Sequence, residues 1–174
     1  MSDGALPHRR LFIGLVPDAG TRAALIEHQR GWAWPRGSRP TQPANLHLTL
    51  FFLDEVDVIH ERALRDGLAA EKLAPFDLVL RTPQCWSRGI AVLRPDPQPV
   101  LDDLHERIAA RLVDADLMPP SGAWKPHVTL ARDAHPCTAP EAAAPIVWPV
   151  VDFALVWSRR TPPIGHEVLE RYGA

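Results

Sequence analysis

The sequence predicts a mixed α and β fold built by duplicating one half. Three observations carry that prediction. Short apolar segments of strand character alternate with longer segments of helical period. A four-residue pattern, histidine, aliphatic, threonine, leucine, occurs twice, at His47-Leu48-Thr49-Leu50 and at His127-Val128-Thr129-Leu130. In each half a long helix leads, through a loop, into the strand that carries the pattern. The period of 80 residues is too long, and repeated too few times, for a solenoid.

Taken in order, "RLFIGLV" (10–16) is short, apolar and bounded by Pro17, which marks a buried strand. Asp18 can cap the helix that follows over 18–30. A proline-rich loop leads to "NLHLTLFFL" (45–53). Asp57 can cap a second helix over 57–71, with Ile59, Ala63 and Leu64 on one face. Residues 75–82 and 89–95 read as two strands around a turn. The clearest helix spans 99–117, where Leu101, Leu104, Ile108 and Leu112 form an apolar stripe at three- and four-residue spacing. "KPHVTLAR" is a strand, and two closing strands fall near 150–158 and 165–170. Nineteen prolines, about twice average usage, punctuate the loops between these elements.

The chain has 174 residues and a formal charge of −2. That length suits one domain, here expected to span 1–174. A near-neutral balance argues against a long electrostatic track for nucleic acid, and leaves room for a small site that handles one phosphate or one nucleic-acid end. Cys85 and Cys137 form no disulfide framework and no metal-ligand spacing, and are expected to be reduced thiols of a cytoplasmic protein. No apolar run reaches the ~18 residues of a membrane span, and the first residues lack a signal-peptide core and cleavage site.

The repeated pattern is chemical. In a strand, residues i and i+2 share a face and lie roughly 6.6 Å apart. His47 and Thr49 therefore share one face, and Leu46, Leu48, Leu50 and Phe52 the other; His127 and Thr129 share a face in the second copy. One side is built for a core, the other offers an imidazole beside a hydroxyl. A single His-x-Thr in a strand is usually only a satisfied histidine beside a β-favouring threonine. From ordinary residue usage, two of the eight histidines carrying the full pattern by accident is on the order of one in thirty thousand. Two such walls across a cleft supply an acid and a base, because imidazole titrates near pH 6.5. Two hydroxyls can hold the oxygens of a phosphate between them. Such a site needs no metal and no cofactor.

The two H-Φ-T-L motifs resemble those of the 2H phosphoesterase superfamily, and more narrowly the bacterial RNA 2′,3′-cyclic phosphodiesterases, also called 2′-5′ RNA ligases. "RLFIGLVPD", "PANLHLTLFFLDEV", "WKPHVTLARD" and the closing "VVDFALVWSRRTPP…HEVLERY" carry the resemblance nearly end to end. It implies an α+β fold of two interleaved lobes with pseudo-twofold symmetry, each lobe an antiparallel sheet with helices on its outer face and the catalytic cleft between them. It implies hydrolysis of a terminal 2′,3′-cyclic phosphate on an RNA 3′ end or nucleotide to a 2′-phosphate; neither a metal nor a second copy of the chain is expected to take part. Weak joining of 2′-5′ linkages is the reverse. By position, His47 would be the proton donor, His127 the proton acceptor, and Thr49 and Thr129 the phosphate holders. The chain departs from the family pattern at Phe51, which by alternation falls on the His47 face and would shape the cleft, at Asp54, and around His166, where an aromatic is usual.

Among the remaining residues, Lys125 and Arg132 flank the second motif and can steer an anion, although strict alternation turns Arg132 away from His127. Phe12, Trp34 and Trp124 are candidates to stack a terminal base, against the commoner structural role of aromatics. Trp86, Trp148 and Trp157 read as packing residues. His8, His28, His60, His105, His135 and His166 carry no motif, and His105 falls on the exposed side of its helix. A zinc hydrolase would show H-E-x-x-H or paired Cys-x-x-Cys, and a serine hydrolase Gly-x-Ser-x-Gly; none is present. The alternatives that stay open are a phosphodiesterase on another small cyclic nucleotide or on 2′-5′ oligoadenylate, and a non-catalytic binder of phosphorylated RNA ends.

Overall fold

The computed structural model describes residues 7–173. Strand β1 (His8–Leu15) enters the core and α1 (Ala19–Arg30) follows, capped by Asp18, whose carboxylate accepts from the Thr21 amide at 2.9 Å. A two-residue strand β2 (Arg39–Pro40) precedes β3 (Leu48–Asp57). Asp57 caps α2 (Val58–Ala69) through the amides of Ile59 and His60. Then come β4 (Phe76–Trp86), β5 (Ile90–Pro95), α3 (Pro99–Asp114), β6 (Val128–Arg132), β7 (Ile146–Val150), β8 (Phe153–Arg159) and β9 (Gly165–Tyr172). Both aspartate caps and the apolar stripe of α3 stand as expected, with Leu101, Leu104, Ile108 and Leu112 all buried. Strands β2 and β7 were not anticipated. The first is too short for a periodic signal, and the prolines around both masked them.

The strands form one antiparallel sheet in the order β7-β4-β5-β6-β3-β1-β8-β9, with β2 added to β6. Counted outward from the middle, β3 matches β6, β1 matches β5, β8 matches β4 and β9 matches β7. The sheet is thus two similar halves about a pseudo-twofold axis. The halves meet in the ladder at one pair, Leu48 opposite Val128. These are the aliphatic residues between histidine and threonine in the two motifs, so the axis passes through the repeated pattern itself. Gly14 lies against this junction, where a Cβ would meet the Leu48 carbonyl oxygen at 2.5 Å.

A second regularity lies just beyond the junction. Ile13 pairs with Phe51 but Gly14 with Thr49, which leaves Leu50 as an extra residue. Ala91 pairs with Ala131 but Val92 with Thr129, which leaves Leu130 as an extra residue. Each motif therefore ends in a β-bulge, and the bulge residue is its leucine. Burial follows the same sequence in both strands: buried, partly exposed, buried, buried, exposed over 48–52 and again over 128–132.

Helices and sheet halves are laced together. Gln29 of α1 donates to the Leu130 carbonyl of β6 at 2.7 Å, and His105 of α3 reaches the Leu50 carbonyl of β3. Two buried carboxylates are each held by two arginines, Glu61 by Arg9 and Arg65, and Glu71 by Arg107 and Arg111. Cys85 and Cys137 are joined in a disulfide, Cα atoms 6.2 Å apart, contrary to the expected reduced thiols. The pairing of β4 with β5 and of β5 with β6 brings the end of β4 beside the loop after β6, a proximity that a separation of 52 positions conceals in sequence. Among the described residues no helix is long and apolar enough to cross a membrane.

Candidate active site

His47 and His127 each stand one residue before a strand, so the strand registers place them. With Leu48 opposite Val128 in an antiparallel pair, His47 falls across from Thr129 and Thr49 across from His127. The four side chains occupy the corners of a quadrilateral on one face of the sheet, with the two imidazoles on its diagonal. Diagonal neighbours of this kind are separated by roughly 7–8 Å, a span that leaves room for one phosphate between them.

Local hydrogen bonds set the tautomers. His47 Nδ1 donates to the Asn45 carbonyl and His127 Nδ1 to the Lys125 carbonyl, both at 2.7 Å. In each motif the carbonyl two residues upstream takes the Nδ1 proton, which leaves Nε2 as the nitrogen with a free lone pair. On His47 this atom accepts from the Thr49 hydroxyl at 3.0 Å. The repeat thus extends to the proton inventory: two neutral imidazoles, each with its Nε2 lone pair unprotonated.

Burial pushes His47 down to about 4, and the neighbouring charges of His166, His127 and Arg132 act in the same direction, against the Asn45 carbonyl. Burial also lowers His127, opposed by its bond to the Lys125 carbonyl and reinforced by Arg132 and Arg94. One imidazole feels the other and both feel Arg132, so the three groups share one electrostatic site. Without an anion both histidines are neutral at pH 7. A bound phosphate monoanion is what favours a proton on one of them.

The bulges decide the next side chains. After Leu130 the strand resumes one residue out of phase, which returns Arg132 to the His127 face despite strict alternation. After Leu50 the same shift moves Phe51 off the His47 face. Phe51 is 5% exposed and stacks on His105 at 4.2 Å, while Phe52 takes the exposed position expected of it. Phe52 and Arg132 are thus counterparts, each five residues after its histidine. Phe12 is 2% exposed and lies under the His47 ring at 4.4 Å, so it supports the imidazole and offers no free face to a base. Trp34 stacks on Trp32 at 5.1 Å and its indole N–H goes to Gln29. Trp124 lines a cleft beside Thr49 and His127, as does Lys125.

Three residues escaped sequence reasoning. His166 packs edge-on against His47 and against Phe12, both at 4.9 Å. Trp86 packs edge-on against His127 at 4.5 Å. His105, expected on a solvent face, is sandwiched between Phe51 and Trp124, the latter at 3.9 Å and nearly parallel. None has a local motif. The weak available signal is the departure from the usual aromatic around His166. Among the described residues no group of three or more His, Cys, Asp or Glu side chains is placed to hold a metal ion.

Paired His/Thr walls related by a twofold axis through their own strands define the two-histidine class of phosphoesterases. The chain belongs to the 2′-5′ RNA ligase superfamily, whose model matches residues 20–168. It is 34% identical to an RNA 2′,3′-cyclic phosphodiesterase of Thermus thermophilus over 94% of this chain and 89% of that protein. It is 30% identical to an RNA 2′,3′-cyclic phosphodiesterase of Escherichia coli over 72% of this chain and 73% of that one. The crystal structure of E. coli LigT complexed with 3′-AMP superposes with a TM-score of 0.80 at 27% identity, covering 95% of this chain and 98% of that one.

Proposed function

We propose that the protein hydrolyses RNA terminal 2′,3′-cyclic phosphates to 2′-phosphates without a metal ion. The observation that carries this reading is the pair of Nδ1-anchored imidazoles placed diagonally about one phosphate-sized gap, with a threonine beside each. The named activity of the two relatives supports the substrate class. Thr49, Thr129 and Arg132 hold the non-bridging oxygens. His127 Nε2 takes a proton from water as its oxygen attacks phosphorus. The P–O3′ bond breaks, and His47 Nε2, protonated once the anion is bound, delivers its proton to O3′. The product carries a 2′-phosphate and a free 3′-hydroxyl. Running the steps backward with an alcohol in place of water gives weak 2′-5′ joining.

We read the chain as one domain of two interleaved lobes, on the strength of the crossing contacts of Gln29 and His105. A monomer in the cytoplasm is its proposed working form, and sedimentation tests the first part. The decisive experiment is product analysis on an oligonucleotide ending in a 2′,3′-cyclic phosphate, with and without a strong chelator. A 2′-phosphate formed at equal rates in both is expected. An unreacted end, or a 3′-phosphate, would overturn the reading.

A further inference from the structure

The face of the sheet that carries His47 continues outward across β3, β1, β8 and β9. Phe12 lies beneath the His47 ring and pairs with Phe52 and with Val156, so these side chains share that face. Two residues back along β1, Arg10 lies on the same face, and its guanidinium covers the Phe52 ring at 4.4 Å. Leu11 opposite Trp157, and Ser158 opposite His166, set Arg10, Ser158 and His166 in one row across β1, β8 and β9. His166 in turn packs against both His47 and Phe12.

The pseudo-twofold axis relates this cation to another. Phe52 and Arg132 are counterparts, so where the second motif places an arginine, the first places a ring with an arginine of the neighbouring strand laid on it. The positive charge is kept and moved outward. Along β1 Arg10 stands roughly 6.6 Å beyond Phe12. That offset is close to the step between successive phosphates of a single strand. Within the fold the guanidinium is underused. Its Nε has no hydrogen-bond partner, and the carboxylate beside it, Asp54, stands at 3.9 Å, too far to accept a hydrogen bond. The side chain is 33% exposed, so an anion can reach it. Stacking on Phe52 fixes its plane, which leaves little ordering to be done on binding.

We infer that Arg10, laid on Phe52, holds the phosphate on the 5′ side of the reacting nucleoside, so that the enzyme prefers a strand end to a free cyclic mononucleotide. The inference rests on the phosphodiesterase reading above, in which His47 serves O3′. The ribose that carries O3′ therefore lies on the His47 half of the site. Its 5′-oxygen leads away from phosphorus past Phe12 and His166, and the cation in that direction is Arg10. A nucleoside with a bare 5′-hydroxyl has no charge to offer there. One placed arginine thus separates the two substrates on a chain whose near-neutral balance provides no long basic track.

The test gives the full-length protein adenosine 2′,3′-cyclic phosphate and uridylyl-3′,5′-adenosine 2′,3′-cyclic phosphate, which share the reacting nucleoside and differ by one preceding nucleotide. The ratio of their kcat/KM values is expected to favour the dinucleotide about tenfold, the weight of one charged hydrogen bond. The same dinucleotide with a neutral methylphosphonate linkage is expected to lose that advantage, a result that needs no variant of the protein. Arg10→Gln should bring the ratio to about one, again the loss of that charged bond. Asp54→Asn, which removes the competing carboxylate, should raise it. Equal kcat/KM for mononucleotide and dinucleotide in the parent protein would overturn the inference. So would an advantage that survives the neutral linkage, which would belong to the added base, or one that Arg10→Gln leaves unchanged. Should neither cyclic phosphate react, the phosphodiesterase reading fails, and the Arg10 site is judged by calorimetric titration. The unreacted dinucleotide is then expected to bind about tenfold tighter than its methylphosphonate in the parent protein, and no tighter in Arg10→Gln. Equal affinities in the parent would overturn the phosphate site itself.

Discussion

His47 and His166 meet edge to face with ring centroids 4.9 Å apart, and Phe12 touches both. The imidazole of the first motif is thus wedged between an aromatic floor and a third histidine from the edge strand β9. Within the proposed mechanism His166 is a positioning residue. His166→Phe is expected to keep kcat within about threefold, since a planar ring still fills the wedge. His166→Ala should lower kcat roughly tenfold at unchanged KM, the order of a lost aromatic pair of ~0.5–1.5 kcal/mol. Equal effects of the two variants would show that ring packing does not hold His47.

The two central histidines are expected to fail differently. Replacing either by Ala should cut turnover about 10²–10⁴-fold, the usual weight of one general acid or base. The intact enzyme should show a bell-shaped pH–rate profile. In the proposed mechanism the neutral form of His127 is the active one, and its pKa is lowered, so the acid limb should lie below 6.5. In the same mechanism the protonated form of His47 is the active one, and burial lowers its pKa to about 4 without an anion. The bound anion raises it, so the alkaline limb of kcat should lie above that of kcat/KM. His47→Ala should remove the alkaline limb and His127→Ala the acid limb; a variant that keeps both limbs would contradict the division of labour.

Arg132 depresses both histidines, and the bulge at Leu130 turns its strand position toward them. Arg132→Gln should raise the pKa of each imidazole, read by NMR titration. It should also weaken binding of inorganic phosphate about tenfold or more, from the loss of a charged hydrogen bond of ~1.5–3 kcal/mol. An unchanged titration of His47 would mean that the charge does not reach across the junction.

Stability should fall in mild acid before the carboxylates matter. His47 binds protons near 4 when folded and near 6.5 when unfolded, so the unfolded chain takes up more protons between those values. This contribution is intact above pH 6.5 and lost as the pH falls through 4. His127, His166, His105 and His28 are lowered in the same direction, chiefly by burial. Asp18 and Asp57 are lowered from 3.8, so their losses begin only beneath that. Tm should therefore drop between pH 6.5 and 4, and less so in His47→Gln. A flat profile over that window would rule out buried neutral histidines.

The repeat, the caps and the α3 stripe were legible because each rests on neighbours three or four residues apart. What sequence could not give was phase. "LTLFFL" is apolar almost throughout, so nothing in it marks Leu50 as the residue without a partner, and alternation counted from His47 fails at Phe51. A second unseen bulge, at Leu130, moved Arg132 the other way, onto the His127 face. His166, His105 and Trp86 gained their neighbours from strand order and helix docking, which join segments tens of residues apart. The disulfide was hidden for the same reason.

Because the motifs are images of each other about Leu48 and Val128, every substitution in one has a counterpart on nearly identical backbone in the other. Thr49→Ser is controlled by Thr129→Ser, and His47→Gln by His127→Gln, within a single polypeptide. Inequality within such a couple has two sources: the unlike neighbours of the motifs, Phe12 and His166 at His47 against Trp86 at His127, and the distinct ends of the nucleotide proposed to bind between them.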